Sequence, residues 1–359
     1  MRRNLTLDTQ TLIIGAGLSG LSLAAQLARQ GQDFVLVEGR DRLGGRILTH
    51  HNGSAGFDLG PAWFWPGQPR IAALIARLGL AAFEQYSAGE LTYEDEQGRV
   101  LRGHGFSSMQ GSLRVDRGIG ALIDGLAKQV DPDRIYLATP IQALQRTDDG
   151  VIATSRNGLT FRARHVVLAL PPRVAMRMSF TPALPEAATN AMAAAPTWMA
   201  GQAKALAIYD TPFWRKAGLS GDAMSRRGPM VEVHDASPAE TGPYAVFGFI
   251  GTPPQARTDQ QRLRQMITEQ LTRLFGAEAA QPLDVQIKDW SADPFTAVEE
   301  DQHPLFSHPS YGLPRTLDRI WDNRLIFAGT EVAPQFGGYL EGALEAADHV
   351  AARLLQEKV

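Results

Sequence analysis

The sequence predicts an α/β protein in which a Rossmann-type dinucleotide-binding domain is interleaved with a smaller mixed α+β domain. Three features lead there. A GxGxxG turn joins a strand to a helix near the N-terminus, a glycine pair opens another helix near the C-terminus, and the stretch between reads as strands and helices of a second sheet. The 359 residues exceed what one compact core usually organises; 44% hydrophobic against 20% charged residues, with no low-complexity tract, predicts a chain that folds throughout.

The first unit begins with residues 11–14, a β-branched and apolar run, followed by Gly15, Gly17 and Gly20 and a helical pattern over residues 21–30. Gly15 permits the turn, Gly17 lets backbone approach a pyrophosphate, and Gly20 lets helix and strand pack closely. The helix start, with Ser19, turns unpaired N–H groups toward the phosphate. Residues 33–37 read as a second buried strand, and Glu38 stands at its end, 18 residues after Gly20, where a carboxylate accepts from ribose hydroxyls. Residues 41–46, DRLGGR, then combine a glycine pair that admits close backbone approach with arginines suited to phosphate oxygens.

Further along, residues 165–170 read as a strand stopped by Pro171 and Pro172, and residues 201–209 as a strand with Gln202, Lys204, Leu206 and Ile208 on one face. A lysine among Ala203, Ala205 and Leu206 is costly to bury without a partner, so its presence suggests a functional cavity. Residues 244–250 form another strand and residues 260–275 a helix. An apolar run at 325–328 leads into Gly329, Thr330 and Glu331, then Gly337, Gly338 and Tyr339, before a helix with Leu340, Ala343, Leu344, Ala347, Val350 and Leu354 on a common face.

Composition excludes several classes. A net charge of -3 without a basic cluster leaves no electrostatic footprint for nucleic acid. With no cysteine, disulfides, thiolate zinc sites and a thioether-linked cofactor are ruled out, and the eight histidines lack metal-ligand spacing, so no metal is assigned. Met1, Arg2 and Arg3 precede a polar stretch and not an apolar one, and the tail at 351–359 carries Glu357 and Lys358; neither reads as a signal or a membrane span, and a cytoplasmic protein is expected.

The sequence resembles the flavin-containing monoamine oxidase family at Arg42, Gly44, Gly45 and Arg46 (RxGGR), at Ala328–Glu331 (AGTE) with Gly338–Ala343 (GY-x-EGA), and at Lys204, eight residues before the Pro212-Phe213-Trp214 triplet. The resemblance runs from about residue 11 to 347. It implies non-covalent FAD held by Gly15, Gly17, Ser19, Gly20, Glu38 and Arg40, by Gly44, Gly45, Arg46, Gly60, Pro61, Ala62 and Trp63, by Ile141 on a strand at 135–144 facing the adenine, and by Gly329, Thr330, Glu331, Gly338, Tyr339 and Leu340. Lys204, Tyr339 and Trp290 are the implied catalytic residues: the lysine reaches the reactive flavin nitrogen through a water, and the two aromatics lie by the ring.

The same resemblance implies an FAD domain made of residues 1–66, 112–190 and 291–359, and a substrate domain of residues 67–111 and 191–290. The first insert is short for the family, which predicts a shallow, open site. Two departures stand out. Pro61 replaces a usual glycine, and residues 295–301 offer no second cage tyrosine, which leaves Trp63, Phe64, Trp65 or Phe295 for the other wall. Glu299, Glu300 and Asp301 read as a solvated face in preference to an attractor for a polyamine's distal ammonium, and which amine is oxidised is left open. The implied reaction is oxidation of an amine C–N bond to an imine by hydride transfer, with oxygen as acceptor and peroxide as product; a homodimer is left open. Carbon–carbon dehydrogenation as in desaturases and porphyrinogen oxidases, an amine dehydrogenase with another acceptor, and a redox-inactive flavin scaffold are the alternatives.

Overall fold

A computed structural model describes residues 6–303, 305 and 307–356. The readings placed on Met1–Arg3 and on Glu357 and Lys358 lie outside them. Two sheets dominate. The first runs in the order Ser179–Thr181, Ile141–Arg146, Val151–Ser155, Thr160–Leu168, Thr6–Ile14, Phe34–Val37, Ile135–Tyr136, with Leu325–Phe327 also paired to Thr160–Leu168. On the edge away from Thr6–Ile14 that strand serves two partners: residues 160–163 pair antiparallel with Val151–Ser155, and residues 166–168 pair parallel with Leu325–Phe327. Its parallel neighbours over Thr11–Ile14 and Leu325–Phe327 are buried on both faces, which explains their apolar runs.

Helix Leu18–Arg29 crosses from the first strand to Phe34–Val37 and packs on the C-terminal helix Leu340–Gln356, the two bringing the small residues Ala24, Ala25, Ala343 and Ala347 into one core cluster. The first strand starts at Thr6, earlier than residue 11, because its polar half still has a ladder partner in Thr160–Ala163 while alternate side chains stay in water. The segment 135–144, read as one strand, is two. Pro140 brings no N–H to a ladder, and the chain leaves one edge after Tyr136 and enters another position in the sheet at Ile141.

The second sheet runs Asp284–Asp289, Ala203–Tyr209, Tyr244–Ile250, Met230–Asp235, Leu219–Ser225, Glu90–Glu94, Val100–Arg102. Strand Ala203–Tyr209 is buried on both faces. Ala203, Ala205 and Ala207 pack toward helix Gln260–Phe275, whose Leu263, Ile267, Leu271 and Leu274 recur at helical spacing; Asp259 caps that helix by accepting from Arg262 N, and Gly276 ends it at φ 104°. Leu206 and Ile208 point the other way, into a cluster with Phe57, Leu59 and Phe247, and each contributes about 2 kcal/mol by leaving water. Lys204 shares that face. No helix among the described residues is long and apolar enough to cross a membrane.

Candidate active site

Residues of both sheets line one cavity of about 650 Å³. Its nucleotide side is made largely of backbone. A Cβ at Gly20 would sit 1.9 Å from the Gly15 carbonyl, and Gly15 itself has φ 105° with Ala169 O in the way, so neither position accepts a side chain. Gly17 differs: a Cβ there would meet nothing of the protein closer than 3.9 Å, because that space belongs to the cavity. Helix Leu18–Arg29 has no side-chain cap and no acid in its first turn, which leaves its leading N–H groups for an anion. Ser19 donates its hydroxyl to Ala328 O, tying this helix to the last strand.

Glu38 lines the cavity with its carboxylate oriented by Ala16 N (2.8 Å) and Arg40 N (3.0 Å). Arg40 reaches on to Asp293 (2.7 Å) and Thr296. The two loop arginines divide their work. Arg42 spends its guanidinium on the carbonyls of Leu43, Gly45 and Ile47 and shapes the loop, whereas Arg46 lines the cavity and pairs with Glu331 at 2.7 Å. Glu331 lies fully buried behind Arg46, and apart from that ion pair its carboxylate has no hydrogen-bond donor among the described residues. Of the sequence-predicted cofactor residues, Gly20 and Glu331 support the lining from behind; Gly15, Gly17, Ser19, Glu38, Arg40, Gly44, Gly45, Arg46, Gly60, Pro61, Ala62, Trp63, Ile141, Gly329, Thr330, Gly338, Tyr339 and Leu340 all line it.

On the opposite side Lys204 Nζ enters the cavity wall. It donates to Gly60 O at 2.5 Å and lies over the rings of Phe247 (4.6 Å), Phe249 (5.0 Å) and Trp63 (5.4 Å). Burial pulls its pKa down to about 7, against the opposing pull of Asp58. Asp58 is itself buried, which raises its pKa, while it accepts from Thr49 Oγ1 and Ile119 N and so fixes the turn that presents Gly60. Trp290 is anchored by its indole N–H to Leu59 O (2.9 Å), one residue away from the lysine's acceptor. Buried Arg257 joins the two strands behind them, bonding Gly201 O, Asp289 and Ser291.

Tyr339 retains 38% exposure and forms the outer wall. Among the four aromatics considered for the second wall, Trp65 meets it edge-on at 6.2 Å; Trp63 belongs to the lysine's surroundings, Phe64 to the core, and Phe295 packs under Arg40 on the nucleotide side. The parallel partner is His308, stacked at 4.8 Å and 11°, a residue that sequence reasoning did not single out. Trp198, Met199 and Met109 also line this side and were missed, since their sequence neighbours carry no motif. Asp301 corrects the solvated-face reading: Glu299 and Glu300 are exposed, but Asp301 is buried, pairs with Arg173 at 2.6 Å and accepts from Thr197 N. Among the described residues no acidic or histidine cluster could hold a metal.

An uncapped helix end, a glycine cradle at Gly17 and Gly44–Gly45 and an oriented ribose-type acid fit the diphosphate and ribose of FAD, and the second sheet closes over the far end with a lysine and aromatic rings. Together they define a flavoprotein oxidoreductase. The model of the flavin containing amine oxidoreductase family matches residues 18–110 and 103–355, and the chain belongs to that family; it is an FAD-dependent amine oxidoreductase. It is 23% identical to a probable flavin-containing monoamine oxidase A of Dictyostelium discoideum, over 95% of this chain and 96% of the relative. Its fold is similar to those of a wild-type putrescine oxidase bound to putrescine (TM-score 0.80, 19% identity, 98% and 100% of the two chains) and a cyclohexylamine oxidase from Brevibacterium oxydans (TM-score 0.79, 22% identity, 98% and 99%).

Proposed function

We propose that the chain oxidises monoamines bearing an apolar substituent, with Lys204, Tyr339 and Trp290 as the residues nearest the chemistry. Bound FAD supplies a two-electron acceptor for the hydride on the amine's α-carbon. The nitrogen gives up a proton, the resulting imine is hydrolysed to an aldehyde or ketone, and oxygen takes the electrons with two protons to become hydrogen peroxide. Tyr339 and Trp65 orient the amine. Lys204, with one hydrogen committed to Gly60 O, keeps donors to organise a water for the return of electrons to oxygen. Residues 1–66, 112–190 and 291–359 serve as the cofactor part and 67–111 and 191–290 as the substrate part; each of the two large sheets drawing its strands from one of these sets supports the division, and the short pairing of Ala82–Glu84 with Leu113–Val115 joins the two.

The observation that carries the substrate reading is the lining on the Lys204 side: Trp65, Met109, Trp198, Met199, Phe249 and Tyr339. The one carboxylate among the described lining residues is Glu38, on the nucleotide side. A second ammonium, as in the putrescine of the similar oxidase, would be desolvated there without a counter-charge. Anaerobic mixing with benzylamine should bleach the flavin at least about 10-fold faster than mixing with putrescine at equal concentration. Bleaching by no amine would overturn the amine reading; bleaching without peroxide under air would assign another electron acceptor.

A further inference from the structure

Residues 103–112 form a strap that leaves the edge strand Val100–Arg102 and ends where Leu113–Val115 begins. Gly103, Gly105 and Gly111 all have positive φ (70°, 109° and 81°), so turns bracket the segment. The strap is exposed except at half-buried Ser107, Ser108 and Met109 and at buried Ser112, where it ends, and Met109 lines the cavity. From His104 to Gly111, apart from the local turn bonds that Ser112 donates to Met109 O, two side-chain bonds tie it to the rest of the described chain: Ser107 donates to Asp222, and Ser108 donates to Glu232.

Those carboxylates flank one buried ring. His234 Nδ1 lies 2.9 Å from Asp222 and Nε2 lies 3.1 Å from Glu232. A carboxylate only accepts, so both ring nitrogens must donate, and the imidazolium is the species that satisfies both contacts. We propose that Asp222, His234 and Glu232 are positioning residues that latch this strap over the cavity, making Met109 a specificity-determining wall for the amine. The assignment of the cavity to amines rests on the preceding reading; the latch itself does not.

The latch follows the charge on His234. Burial alone would lower the pKa of this imidazole, but the hydrogen bonds to Asp222 and Glu232 and their charges outweigh it and raise the pKa above the ordinary histidine value. Those two are the acids facing the ring. From the other elements packed on it come the rings of Trp63, Phe247 and Phe249, and on the same three rings rests the Lys204 amine. A group with a raised folded pKa stabilises the fold below its unfolded pKa and loses that contribution as pH rises through the folded value. Alkaline pH therefore leaves a nitrogen lone pair against a carboxylate. Glu232, the more exposed of the two acids, is the one free to turn away, taking the Ser108 contact with it.

Hydrogen exchange of residues 104–111 in the holoenzyme, together with the Kd of benzyl alcohol read from the flavin spectrum between pH 6 and 10, tests this. Benzyl alcohol does not titrate in that range, so its binding reports the wall and not its own charge. Wild type should show faster exchange in the strap and about a 5-fold higher Kd at the alkaline end. Ser107→Ala with Ser108→Ala, both on the surface strap, should show the alkaline values at every pH, and Met109→Ala the raised Kd without the fast exchange. Exchange in the strap of wild type that does not change with pH, or a pH response that survives in the double variant, would overturn the latch. Failure of benzyl alcohol to bind while the strap still responds would leave the latch standing and overturn the apolar-pocket reading on which the role of Met109 rests.

Discussion

The two sides of the cavity are built from different materials. On the nucleotide side the surface is backbone: glycine turns, an uncapped helix end and one acid held by main-chain N–H groups. On the Lys204 side it is side chain, with a lysine, tryptophans, methionines and a tyrosine brought from segments far apart in the chain. Backbone turns such as those at Gly15 and Gly20 accept no side chain, whereas side-chain surfaces can change one residue at a time and so suit the choice of substrate.

That contrast breaks most sharply at Gly20. Gly20→Val places atoms inside the Gly15 carbonyl, so the purified protein should be colourless and fail to bind FAD on titration, an effect of about 100-fold or more. Lys204→Met, on the side-chain surface, should instead keep its flavin and slow reoxidation by oxygen about 100-fold in stopped flow, with reduction by amine changed far less; equal effects on both half-reactions would remove the role given to Lys204. The same variant sharpens the comparison through stability. A lysine whose folded pKa is about 7, against 10.5 when free, weakens folding progressively as pH falls between those values and to a constant extent below them. The apoprotein of Lys204→Met should therefore gain Tm over wild type at pH 7 and lose most of that gain at pH 10.

Glu38→Ala should weaken FAD binding about 10- to 100-fold while leaving the reduction rate at saturating FAD unchanged, as expected for a charge-assisted contact remote from the chemistry. A lowered reduction rate would mean that the two sides are coupled. The smallest effect belongs to Trp290→Phe. Losing the indole bond to Leu59 O leaves that carbonyl one donor short and should lower kcat/KM only about 5-fold, without loss of flavin.

The same division decides what was legible from residues alone. Gly15, Gly17, Gly20 and Glu38 could be read because backbone geometry ties residue type to position, and the spacing survives in any context. Helix Gln260–Phe275 and strand Tyr244–Ile250 were legible from apolar periodicity and turn residues at their ends. Lys204 stood out because a lysine in an apolar strand conflicts with its surroundings. His308 carried no such conflict; its stacking on Tyr339 depends on where a loop lies, which no local pattern encodes. The Asp222–His234–Glu232 triad was hidden for a related reason: alternation along Met230–Asp235 places Glu232 beside His234, but Asp222 arrives from another strand. Arg42 and Arg46 looked equivalent, and only the fold shows that one holds carbonyls while the other faces the cavity.

The bond from Ser19 to Ala328 and the pair of Arg46 with Glu331 join the opening of the chain to a segment more than 280 positions later. The glycine turn is completed from behind only where Leu325–Phe327 lies beside Thr160–Leu168 and helix Leu340–Gln356 is docked. The coenzyme cradle is thus a product of long-range closure, and a variant cut before residue 325 should stay colourless when FAD is supplied.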